Sequence, residues 1–86
     1  MQGAKLIDKY VHLLKSGVEI FNEYRKKNPH EKIDLSSMDL SSLDISEIDF
    51  SGINLEKADL SGCVLMLADL TNANLKGAIL KKTVFQ

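Results

Sequence analysis

The sequence predicts an all-β solenoid over residues 33–86, capped by an α-helix in residues 1–32. Three observations predict it. A large apolar residue recurs every fifth position from Leu35 to Phe85, the columns between are sorted into apolar and polar, and residues 1–32 instead carry a helical apolar stripe that stops at Pro29.

The recurring column reads Leu35, Leu40, Ile45, Phe50, Leu55, Leu60, Leu65, Leu70, Leu75, Leu80 and Phe85. In a chain that is 44% apolar, eleven such residues in eleven places arise by chance roughly once in ten thousand tries. An α-helix advances by about 100° per residue, so a period of five smears the mark around its circumference. A straight strand alternates faces, so an odd period throws successive leucines to opposite sides. The surviving path runs extended for three residues and then bends, each five residues building one side with the large residue pointing inward.

Within a side, the residue two before the large one shares its face and the residue between points away. The first of these columns reads Ile33, Met38, Leu43, Ile48, Ile53, Ala58, Cys63, Ala68, Ala73, Ala78 and Thr83. The second opens with Asp34, Asp39, Asp44, Asp49, Asn54 and Asp59. Corners such as Ser36-Ser37, Ser51-Gly52, Ser61-Gly62 and Thr71-Asn72 bend cheaply and satisfy backbone groups locally.

The stretches "ADLSG" at 58–62, "ADLTN" at 68–72 and "ANLKG" at 73–77 resemble pentapeptide-repeat proteins, whose consensus is A(D/N)LXX. The resemblance implies a right-handed quadrilateral β-helix with four pentapeptides per coil, and the eleven repeats then make about 2.75 coils stacked about 4.8 Å apart. "GVEIFNEYRKKNP" at 17–29 resembles the helical lead-in of many bacterial members.

In the lead-in, Ile7, Tyr10, Val11, Leu14, Val18 and Phe21 fall within about 100° of a helical wheel. Leu6, Leu13, Ile20 and Tyr24 widen that face, while Asp8, His12, Lys15, Glu19, Asn22, Glu23 and Lys26 lie opposite. Ser16-Gly17-Val18-Glu19 has a capping-box pattern, but one kinked helix is expected. An open coil end exposes unpaired backbone and core residues, so the helix is read as its cap. Leu14, Val18, Phe21, Tyr24 and Arg25 are expected to cover Ile33, Met38, Leu43 and Ile48, which are bulky where later repeats are small. Arg25 sits within the apolar stripe, so its guanidinium is expected to bond carbonyls of the first coil or a carboxylate such as Asp34.

Eighty-six residues make one small domain. Net charge is −1, divided as +3 over residues 1–32 and −4 over residues 33–86, which is not the basic body of a direct nucleic-acid binder. A lone cysteine, Cys63, excludes an internal disulfide, and no basic-then-apolar leader is seen, so a reducing cytoplasm is expected. The apolar run at 64–68 is far short of the roughly 20 residues of a membrane span. No phosphate loop, Cys-x-x-Cys or His-Glu-x-x-His is present, and His12 and His30 lack ligand partners, so no enzyme, metal or cofactor is expected.

Two surfaces are left as functional candidates. Val64, Met66, Leu67, Ile79 and Val84 are apolar in outward positions near the last inward residues, Leu80 and Phe85, and mark a self-association surface. Stacking places Asp39 beside Asp59 and Asp49 beside Asp69, a regular acidic face open to a partner, although aspartates beside turns ordinarily cap backbone amides. The reading is a non-catalytic protein-interaction or scaffold module that forms a homodimer and binds a further protein whose identity no residue names. The resemblance implies one alternative, a DNA mimic that occupies the DNA site of a type II topoisomerase and protects gyrase.

Overall fold

The computed structural model describes residues 2–85, with side chains from Lys9 onward. Helix α1 (Gln2–Lys15) and helix α2 (Val18–Lys27) precede a coil held by parallel pairing between residues twenty apart. The pairs fall into four columns: Asp34, Asn54 and Asn74 on the first side; Asp39, Asp59 and Ile79 on the second; Asp44, Val64 and Val84 on the third; Asp49 and Asp69 on the fourth. A register of twenty with a bend every five residues is a winding of four sides.

The sides are shorter than strands. Each side contributes one bridging residue per coil, flanked by corners. Bonds run both ways between coils: the Leu35 amide donates to Asn54 O at 2.8 Å and the Asn54 amide to Ile33 O at 3.2 Å. The corner closes on itself, as where the Ala58 amide donates to Leu55 O at 3.0 Å. The second corner residue is left-handed each time, from Ser37 (φ 60°) to Lys82 (φ 61°). Glycine fits such a position freely, and at Gly62 a Cβ would meet Ser42 Oγ at 3.4 Å. Leu67 is the one large apolar residue in this position, at φ 58°.

Inside, Leu35, Leu40, Ile45, Phe50, Leu55, Leu60 and Leu65 are buried together with Ile53, Ala58 and Cys63. Burying each large apolar side chain contributes about 1.5–3 kcal/mol, so this column is the main stabilising feature of the coil. Tyr10, Leu14 and Phe21 of the helices join the same cluster, and Leu13, Val18 and Tyr24 pack at its margin.

The lead-in is two helices rather than one kinked helix. Gly17 separates them with φ 117° and ψ 157°, a backbone that side chains resist. The capping box does not form, because the Ser16 hydroxyl donates back to His12 O at 2.8 Å and no side chain caps α2. The break resets the helical phase, so Ile20 leaves the apolar stripe and is 50% exposed. The side chains of Leu6 and Ile7 lie outside the described residues. No described helix is long and apolar enough to cross a membrane.

Candidate interaction surfaces

The helical end is a cap. Phe21 is fully buried and meets Phe50 edge to face, with ring centroids 5.6 Å apart and planes at 82°. Ile33 and Ile48 are buried, while Met38 and Leu43 are half-buried against the core. Between α1 and the second side remains a cleft of about 200 Å³, lined by Val11, Leu14, Lys15 and Asp39 among others. That volume is below the usual range for a drug-sized ligand.

Polar groups of α2 finish the fourth side. Between coils, the Asp69 amide donates to Ile48 O and the Gly52 amide donates to Thr71 O. One coil lower, the equivalent groups are the Asp49 amide and Ser51 O, and α2 supplies both partners. The Asp49 amide donates to Asn22 Oδ1 at 2.8 Å, and Arg25 Nη2 donates to Ser51 O and, at 3.2 Å, to Ser51 Oγ. Asn22 Nδ2 also donates to Glu47 O at 3.0 Å. Thus Arg25 does reach a carbonyl of the first coil, but its carboxylate is Asp49, 3.7 Å from Nε, and not Asp34. Arg25 Nε is buried without a hydrogen-bond partner. Asp34 belongs to the first side, and α2 lies over the fourth. Asn22, assigned by the helical wheel to the solvated face, is a backbone surrogate, because the break at Gly17 turns it toward the coil.

A second polar cluster ties α1, α2 and the following turn together. Glu31 accepts from Tyr10 Oη and from Tyr24 Oη, the latter at 2.7 Å, while Lys9 Nζ lies 4.7 Å from the Tyr24 ring centre. The two hydroxyls hold the Glu31 carboxyl below its ordinary range, and burial with Glu31 contact pushes the Tyr10 phenol up. No motif marks Glu31, since its partners are brought in by the fold from separate helices.

The acidic columns stack in the register read from sequence: Asp39 bridges Asp59, and Asp49 bridges Asp69. Their carboxylates face the corners. Asp39 Oδ1 accepts from the Ser41 amide and hydroxyl, Asp59 Oδ1 from those of Ser61, Asp49 Oδ1 from those of Ser51 and Asp69 Oδ1 from the Thr71 amide. Bonds from the corner hydroxyl and then its amide hold the carboxyls of Asp34, Asp39 and Asp69 below the usual carboxylate range. Cys63 is buried, its thiol donating to Leu40 O, and burial pushes that thiol up. Among the described residues no group of three acidic, histidine or cysteine side chains is placed to hold a metal.

At the other end the apolar residues are open to water. Val84 bridges Val64, which is half-buried, while Met66, Ile79, Leu80 and Val84 are exposed, Phe85 is 48% exposed and Leu67 reaches 78%. Around the ring, Ile79 lies on the second side, Val64 and Val84 on the third, and Met66-Leu67 at the corner beyond. The amides of Leu75, Gly77, Leu80 and Lys82, whose equivalents one coil earlier bond the next coil, have no such partner among the described residues.

No curated protein and no solved structure matches the chain. A family described as pentapeptide repeats matches residues 48–86 in eight copies. It begins three repeats after the coil does, where bulky Ile33, Met38 and Leu43 serve the cap contact. Repeats of this kind usually form a β-helix, in keeping with the register of twenty described above. Residues 48–86 of the chain carry the repeats that this pentapeptide-repeat family describes.

Proposed function

We propose that this chain is a non-catalytic protein-interaction module, wound as a right-handed quadrilateral β-helix, that pairs with a second copy through its last coil. The observation that carries the reading is the exposure of Ile79, Leu80, Val84, Phe85, Met66 and Leu67 together at one end of the coil, whereas among the described residues only Ile20 is a large exposed apolar residue elsewhere. Clustered apolar surface of this kind is costly to leave in water, and unpaired coil amides beside it favour a partner that brings acceptors. A two-fold contact is self-complementary and ends growth at a dimer. The buried unpaired thiol of Cys63 is consistent with a reducing cytoplasm.

Mimicry of DNA has less support. Two columns keep stacked carboxylates, but the first side turns to Asn54 and Asn74, the third to Val64 and Val84, and Arg25 lies beside Asp49. Recovery from a bacterial lysate of a type II topoisomerase released by duplex DNA would favour mimicry over the present reading.

A contact confined to one coil end is small against the roughly 1,200–2,000 Å² of a standard stable interface, so the dimer is expected to be concentration-dependent. Sedimentation velocity from low to high micromolar concentration is expected to show a dimer for the native chain and a monomer for Phe85→Asp. A native chain that stays monomeric, or a Phe85→Asp variant that dimerises equally, removes the proposal.

A further inference from the structure

The coil is graded in charge along its axis. Residues 33–52 hold five acidic residues and no basic one, residues 53–72 hold three acidic residues and one lysine, and residues 73–86 hold three lysines and no acidic residue. Lys76 stands at the first corner of the last coil and Lys81-Lys82 at the second, all exposed. The second corner is also grooved: Ser42, Ser61 and Gly62 line a shallow channel that leads to the two lysines. Below Gly77 the Lys57 stem lies so close that a Cβ would meet its Cγ at 3.2 Å, which brings a fourth lysine stem against the last coil.

These lysines share a coil with the exposed Ile79, Leu80 and Phe85, so an apolar contact made there gathers them from both copies. Residues 70–86 include no Asp or Glu side chain to answer them. Ammonium groups gathered within about 10 Å of one another, the screening length near 0.1 M salt, oppose such a contact. Ammonium groups are strong donors to phosphate-type oxygens. An anion bound only by the pair therefore favours the pair by mass action.

Resting on the self-association reading above, we infer that pairing is linked to a multivalent oxyanion of the phosphate class, held between Lys76, Lys81 and Lys82 of two copies. The anion neutralises the rim while the apolar residues make the contact. Chloride, carrying one charge, screens the lysines without bridging them.

The test is sedimentation of the full chain at low ionic strength, with inorganic pyrophosphate at about millimolar concentration or with sodium chloride at the same ionic strength. Pyrophosphate is expected to tighten dimerisation on the order of tenfold over chloride, and Lys81→Gln/Lys82→Gln is expected to dimerise without pyrophosphate and to ignore it. A native dimer that is equally tight in chloride and pyrophosphate overturns the anion link and leaves self-association standing. A double variant that responds as the native chain does also overturns it. A native chain that is monomeric under every condition removes the self-association reading and the anion link together.

Discussion

Asn22 is joined to Asp49 as a neighbouring coil would be, its side-chain oxygen accepting the Asp49 amide at 2.8 Å in the place that Ile48 O takes for Asp69. A primary amide offers one acceptor and two donors on a short stem, so a single helical residue can serve both the Asp49 amide and Glu47 O.

Replacing Asn22 by Leu removes that acceptor and leaves a part-buried amide without a partner. The expected loss is about 1–3 kcal/mol, read as a lower urea midpoint with unchanged slope. Asn22→Asp keeps an acceptor but loses the donor to Glu47 O and sets a second negative charge near Asp49. It should be no better than Leu. A variant of native midpoint in either case contradicts the backbone-surrogate role.

Phe21→Ala opens a void between Phe50 and the cap, at a site with no exposure. Removal of a buried phenylalanine side chain costs about 3–5 kcal/mol, a large share of the roughly 5–15 kcal/mol that stabilises a domain. The variant should melt well below the native chain, and residues 33–86 expressed alone should aggregate. A soluble, folded and monomeric 33–86 fragment rules out the helices as a required cap.

Acid should loosen α1. The Glu31 carboxyl is held below its ordinary value of 4.5 by the Tyr10 and Tyr24 hydroxyls, with Lys9 and Arg25 adding favourable charge. A group with a depressed folded pKa contributes stability that is present above its unfolded pKa and is lost as pH falls through the folded one. Native stability is therefore expected to fall below about pH 4.5, with Asp34, Asp39 and Asp69 contributing in the same direction. Tyr10→Phe/Tyr24→Phe should lower stability at neutral pH and flatten this acid limb. Denaturant titrations at neutral and acid pH measure the difference, and a double variant with an unflattened limb contradicts the clasp.

Leu67 should separate stability from association. It is 78% exposed at a left-handed corner, an unfavourable conformation for a branched apolar residue. Leu67→Gly relieves that conformation and is expected to stabilise the monomer by about 0.5–1 kcal/mol, since relief of strain outweighs the added unfolded-state freedom. The same change removes an apolar group from the proposed contact, so dimerisation should weaken. Melting and sedimentation moving in opposite directions is the expected result; unchanged association excludes Leu67 from the contact.

The inward column was legible because its cause is local: every side repeats the same bend, so Leu35 and Leu75 obey one rule five residues long. Phe21 was legible for a similar reason, as the middle of a helical stripe. The break at Gly17 was not, since the capping-box residues competed with a glycine whose backbone decided the phase, and Ile20 and Asn22 were misplaced as a result. The partner of Arg25 was missed because the first carboxylate of the coil, Asp34, is on another side from α2, whereas Asp49 comes beneath it only after most of a full circuit. Glu31 depends on two helices meeting the same turn, which no spacing encodes.

The graded burial of the inward column also sets where the molecule comes apart. Leu35, Phe50, Leu55 and Leu60 are sealed, with Phe21 as a stopper over Phe50, whereas Leu80 is 39% exposed and Phe85 more so. Each coil touches only its neighbours, so opening proceeds from the loosest layer inward, in the manner of a zip. Amide protons of residues 70–85 should exchange with solvent earliest and those of the first coil, such as Leu35, Leu40 and Ile45, last. The first coil and its helical stopper then remain as the folded remnant from which the chain rewinds.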